Sequence, residues 1–82
     1  QPVRTRMKKA IQQETLEALV SDSRLREARA VRVEGGWSLQ GRLGASWRPV
    51  RSRREPVRVW RSLTALERFC VTIGLRQLLV EL

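Results

Sequence analysis

The sequence predicts an α+β fold: an N-terminal helix, an antiparallel β-meander, a helix packed on one sheet face, and a short C-terminal strand. Three observations predict it. Apolar and polar residues alternate through residues 30–47 and again through 57–60, the period-two signature of half-buried strands. Leu63, Leu66, Phe69, Cys70 and Ile73 then recur at steps of three and four, which makes one apolar helical stripe. Met7, Ala10, Ile11, Ala18 and Leu19 fit one face of an earlier helix, and Leu16 and Val20 widen it.

The elements follow in order within a single domain, residues 1–82. Residues 1–6 are polar and basic, with Pro2 among them, and are expected to form a disordered leader. Met7 is the only methionine and is read either as the true start or as the residue after that leader. The N-terminal helix is expected over residues 7–21, with Ser21-Asp22-Ser23 as a polar connector. Leu25 and Ala28 are compatible with more helix. From residue 30 the pattern turns to strand and opens the sheet-plus-helix core, residues 30–82. Gly35-Gly36 supplies a two-residue hairpin turn. Val31, Val33, Trp37, Leu39, Trp47, Val57 and Val59 are expected to share the face beneath the second helix. Gly41 and Gly44 mark a bulge or a second turn, and Pro49 a strand end or edge. Thr64 and Glu67 have capping-box spacing, and Gly74 suits a left-handed C-cap. Residues 75–82 read as a terminal strand.

Charge is lopsided. The chain has 17 basic and 8 acidic residues, a net charge of +9, and all but two of the basic residues are arginine. Arginine's planar fork suits phosphate oxygens and base edges. An isoelectric point near 11.7 lies well above the value of about 9 that marks a nucleic-acid footprint. The other reading is a basic domain with solvated arginines. Cys70, the only cysteine, falls on the apolar stripe and reads as a small core residue. It can form no disulfide within the chain, which fits a reducing cytosol. No apolar run is long enough to span a bilayer, so no membrane partner is expected.

Enzyme chemistry finds little support. There is no histidine and no tyrosine, the acids are scattered, and no glycine-rich loop opens a helix. Structural zinc needs about four Cys or His ligands. No catalytic residue, metal, cofactor or small-molecule substrate is therefore expected. What remains is a basic stretch with aromatic residues interleaved: Arg42, Arg48, Arg51, Arg53, Arg54, Arg58, Trp60 and Arg61. Arg42, Arg48, Arg58 and Trp60 are expected on the outward face of the sheet, where they would meet phosphates and bases. Trp60 either stacks on a base or an arginine, or shields the sheet. The 51–54 loop either holds phosphate or is simply solvated.

Two resemblances bear on this. GGWSLQGRL, SWRPVRS and VRVWRSLTALERF, within residues 35–74, look like the three-stranded-sheet DNA-binding domains of the AP2/integrase type, which have an early Gly-Trp and an aromatic-basic strand running into a helix. That resemblance implies reading DNA with the outer sheet face. REPVRVWRSLTALERFCVTIGLRQLLVEL, residues 54–82, is similar to the ParC-like partition-associated accessory proteins of bacterial plasmids and integrative elements. That one implies mobile-element biology, plasmid partition or maintenance, without a mechanism. The expectation is a small non-enzymatic protein that binds nucleic acid, duplex DNA favoured, through an arginine-rich face. The alternative is a protein–protein adaptor or homodimer whose basic face meets an acidic partner. Its helix 7–20 and strand 75–82 would form the dimer, with an exposed apolar patch on Ile11, Leu16 and Leu19 or along Leu79.

Overall fold

Two helix-forming stretches interrupt a series of strand-forming ones, three of which are consecutive. The computed structural model, which describes residues 10–25 and 27–82, assembles them into one five-stranded mixed sheet with two helices, an α+β fold. The elements are β1 (Ile11–Gln12), α1 (Gln13–Ser21), β2 (Glu27–Val33), β3 (Gly36–Leu43), β4 (Ser46–Arg51), α2 (Leu63–Ile73) and β5 (Leu79–Glu81). The strand order is β1-β4-β3-β2-β5. β3 runs antiparallel to β2 and β4, whereas β1 is parallel to β4 and β5 parallel to β2. The expected purely antiparallel sheet is thus corrected to a mixed one. Each edge strand is separated from its partner by a long stretch that contains a helix, which permits parallel pairing.

The expected helix over residues 7–21 is also corrected. Residues 1–9 lie outside the described residues. Ile11 and Gln12 pair with Val50 and Arg51, and the helix starts only at Gln13. Ile11 is β-branched and almost wholly buried, so the sheet edge outcompetes a further helical turn.

Two turns set the register of the central strands. Val33 pairs with Gly36 and Leu43 with Ser46, so the two-residue turns are Glu34-Gly35 and Gly44-Ala45. Gly36 belongs to the strand. Its φ is +151°, and a Cβ there would sit 2.0 Å from the carbonyl oxygen of Trp60, so only glycine fits. Trp37 and Trp60 exchange two backbone hydrogen bonds of 2.8 Å, and Arg58 N–H donates to the Val50 carbonyl. The expected fourth meander strand is therefore a single antiparallel bridge beside Trp37, where β4 has diverged from β3.

That register corrects the expected faces. Each turn pairs an odd-numbered residue with an even one: Arg32 with Trp37, Ala30 with Leu39, Arg42 with Trp47. Val31, Val33 and Trp47 accordingly lie opposite Trp37 and Leu39, on the outer face. The core side holds Ala28, Ala30, Trp37, Leu39 and Val50 against Leu16 of α1 and Leu66 and Cys70 of α2. Trp60 shares a face with Trp37, and its ring lies 5.1 Å from that of Phe69.

The stripe on α2 folds as its spacing predicts, with Leu66 and Cys70 buried and Leu63, Phe69 and Ile73 packed partly against them. Its N-cap is Ser62, whose hydroxyl accepts from Ala65 N–H at 3.1 Å, in place of the Thr64–Glu67 box. At the other end Gly74 N–H donates to Val71 and Leu75 N–H to Cys70, and Gly74 adopts φ +96°. This is a Schellman cap. Among the described residues no helix is long and apolar enough to cross a membrane.

Candidate nucleic-acid interface

The eight residues singled out from the sequence do not share one face. Trp60 is 5% exposed and belongs to the core, so the expectation that it faces outward is corrected. A tryptophan opposite Trp37 and beside Phe69 buries more apolar area inward than Val57 or Val59 would. Arg58, two residues earlier, lies on the same side. Its guanidinium sits 4.4 Å from the Trp60 ring centre and 5.4 Å from that of Phe69, and it donates to the Gln13 side-chain oxygen of α1. Arg58 thus ties α1, Trp60 and α2 together.

Arg48 and Arg42 lie on opposite faces. Arg48 pairs in register with Gly41, which places it on the helix side, half-buried. Arg42 is on the outer face. It donates to Glu27 at 2.7 Å and to the Gly44 carbonyl at 3.2 Å, and approaches Trp47 at 5.9 Å.

The outer face holds two residues that the sequence reading missed as site members, Arg29 and Trp47. Arg29 stacks on the Trp47 ring at 4.2 Å, donates to Gln40 at 2.7 Å and pairs with Glu81 at 3.5 Å. The signal was present in the Gly44-Ala45 turn, which forces Trp47 onto the face of Arg42. The result is a polar surface with its arginines already engaged: Arg29 and Arg42 are balanced by Glu27 and Glu81.

The 51–61 segment differs. It contains Arg51, Arg53, Arg54, Arg58 and Arg61 against one acid, Glu55. Glu55 is turned back on its own loop. Its backbone N–H donates to the Ser52 hydroxyl at 3.1 Å, that hydroxyl donates to the Glu55 carboxylate at 3.2 Å, and Ser52 N–H donates to the Glu55 carbonyl at 3.1 Å. This closed turn presents Arg53 and Arg54 at its tip. Both are exposed, as is Arg61 before α2, and none has an acid partner among the described residues. Arg51, half-buried, donates its Nε to the Ser52 carbonyl at 3.2 Å.

Cys70 is buried, and burial, with a smaller contribution from Glu67, pushes its thiol from 9.0 up to about 11. It is a neutral, poorly nucleophilic thiol at pH 7. Among the described residues no cluster of three or more Cys, Asp or Glu is arranged to hold a metal ion. No family model, curated protein or solved structure matches this chain.

Proposed function

We propose that this chain is a non-enzymatic protein that binds nucleic acid, duplex DNA in the first place, by gripping the phosphate backbone with Arg53, Arg54 and Arg61 of the 51–61 segment. The observation that carries this reading is the pairing state of the arginines. Arg53, Arg54 and Arg61 are exposed without acid partners, beside a lone acid that is occupied within its own turn. Such guanidiniums are available for charge-assisted bonds to phosphate. Reading DNA with the outer sheet face, the mode implied by the AP2/integrase-type resemblance, is less favoured, because Arg29 and Arg42 would first have to leave Glu81 and Glu27. A role in plasmid partition or maintenance in a bacterial cytoplasm follows only from the likeness of residues 54–82 to the partition-associated proteins.

The test is a salt titration of binding to random duplex DNA. Counterion release predicts a log–log slope of about −0.9 per phosphate neutralised. No binding at about 50 mM salt, where screening is weak, would overturn the reading.

One observation favours the adaptor or homodimer as the second reading. Val71, Leu79, Val80 and Leu82 are the large apolar side chains left exposed among the described residues, and three of them lie at the edge strand β5. Light scattering across a concentration series separates the two: a dimer that dissociates on Val80→Lys and binds no DNA would favour this second reading.

A further inference from the structure

We infer that two copies of this chain join antiparallel along the open edge of β5, about Leu79, so that their five-stranded sheets become one. β5 pairs with β2 on one side and, among the described residues, with nothing on the other. All of its residues are exposed, and none is the proline or lysine that blunts such an edge. Its one charge, Glu81, is already paired with Arg29 of its own sheet. So short a ladder would hold a dimer weakly, and the side chains around it supply the rest. Val71, Leu79, Val80 and Leu82 are the large apolar residues left exposed among the described residues. Val71, with Cys70, Leu75, Leu78 and Val80, lines a groove between α2 and β5.

Charge selects a second copy as the occupant. Residues 67–82 hold two arginines and two glutamates, so the whole net charge of +9 resides in the other residues. An acidic partner would be drawn to those, whereas two chains of like charge repel least where each is locally neutral. The edge also complements itself. Leu79 and Glu81 face the outer side with Arg29 and Val31, and Val80 faces the helices with Ala30. A two-fold antiparallel pairing about Leu79 keeps each facing pair on one side of the sheet. Leu79 then meets Leu79, Leu78 meets Val80, and Gln77 meets Glu81: apolar against apolar, amide against carboxylate. Moved by one residue, to Val80, the pairing would set Leu79 against Glu81. Past the ladder, Leu82 of each copy comes opposite Arg76 and closes over the groove of the other.

This dimer rests on the exposed edge that favours the second reading above, gives that reading its partner and register, and does not depend on nucleic acid. β2 and β3 separate β5 from β4, and the 52–55 turn follows β4, so the joint leaves Arg53 and Arg54 open in both copies. Sedimentation velocity of the full chain across a concentration series should show monomer–dimer mass action. Val80→Lys puts an ammonium opposite Leu78 and should raise the dimer Kd about tenfold or more. Leu79→Cys tests the register without relying on that variant. Facing Cβ atoms lie about 5 Å apart, near disulfide reach. Mild oxidation with diamide should therefore convert Leu79→Cys to a reducible dimer much faster than Arg53→Cys, which is exposed but remote from the joint. A chain still monomeric at about 1 mM, a dimer that Val80→Lys leaves intact, or cross-linking no faster at 79 than at 53 would overturn the dimer.

A duplex arm separates it from the nucleic-acid reading. If the chain dimerises and binds no duplex, the dimer stands and that reading falls. If it binds duplex and stays monomeric at every concentration, the dimer falls and that reading stands. Duplex binding that weakens in Val80→Lys while the salt slope per chain is kept supports both.

Discussion

Arg29 and Arg42 on the outer sheet face each meet a carboxylate and lie over the same ring, that of Trp47. Arg53, Arg54 and Arg61 meet neither. The residue type is the same and the physical state is not. On the sheet face the charge is consumed within the fold, and the guanidinium serves partly as a flat apolar plate. At Arg53, Arg54 and Arg61 it remains exposed to solvent, open to a charge-assisted bond with phosphate. Arg58 shows that position along the chain does not decide the matter. It sits inside the basic segment, yet it is held over Trp60 and Phe69 and bonded to α1. The count of arginines therefore locates no interface; what each guanidinium already touches does.

The largest expected effect breaks the segment at its anchored half. Trp60→Ala should cost about 3–5 kcal/mol in urea denaturation, because a buried indole is replaced by a cavity beside Trp37 and Phe69. That is a large share of the stability of so small a domain. Trp60→Phe should retain the fold, and with it DNA binding. A Trp60→Ala protein as stable as its parent would show that the indole is not a core residue.

The next effect comes from pH. Burial and Glu67 raise the Cys70 thiol from 9.0 to about 11, so the fold favours the neutral form. Stability is full below about pH 9 and is lost as pH rises from 9.0 toward 11. The loss is on the order of 2–3 kcal/mol, from about two units at 1.36 kcal/mol each. The chain has no tyrosine to titrate in that window, arginine keeps its charge throughout, and its two lysines are common to the parent and the Cys70→Ala variant. Melting temperature should fall over this range in the parent and stay flatter in Cys70→Ala. DNA binding should persist wherever the protein remains folded.

These cases show what the sequence made legible. The α2 stripe and the Gly74 cap could be read directly, because both are local: one depends on spacing, the other on a single φ. The face of Val31, Val33 and Trp47 was legible in principle, since two-residue turns fix parity, but alternation of apolar residues alone led to the wrong side. In residues 57–60 alternation could not choose, because both of its faces carry apolar residues, and the bridge to Trp37 decided the matter. The parallel pairing of β1 and β5 was invisible, for it depends on partners far along the chain and on strands of two and three residues. Arg48 looked like its neighbours in sequence, and only burial of its Nε sets it apart.

A smaller effect tests the engaged arginines. Arg29→Ala removes a stack on Trp47, a bond to Gln40 and an ion pair with Glu81, and should cost about 1 kcal/mol in a half-buried setting. Arg42→Ala, more exposed, should cost about 0.5 kcal/mol or less. Removing either charge should change the salt slope of DNA binding little.

The smallest effect on stability should accompany the largest on binding. Arg53 and Arg54 sit at the tip of a turn closed by Ser52 and Glu55, and that closure uses none of their side-chain atoms. The double variant Arg53→Ala/Arg54→Ala should therefore unfold within about 0.5 kcal/mol of the parent. If each arginine neutralises a phosphate, the log–log salt slope should flatten by about one to two units, and affinity should drop alike for every duplex sequence. The informative control is Arg29→Ala/Arg42→Ala, which removes the same charge from the other region. Were binding governed by net charge alone, the two double variants would lose affinity equally. A loss of affinity confined to the loop variant, with the loss of stability confined to the sheet variant, would place the interface at the arginines that the fold leaves unengaged.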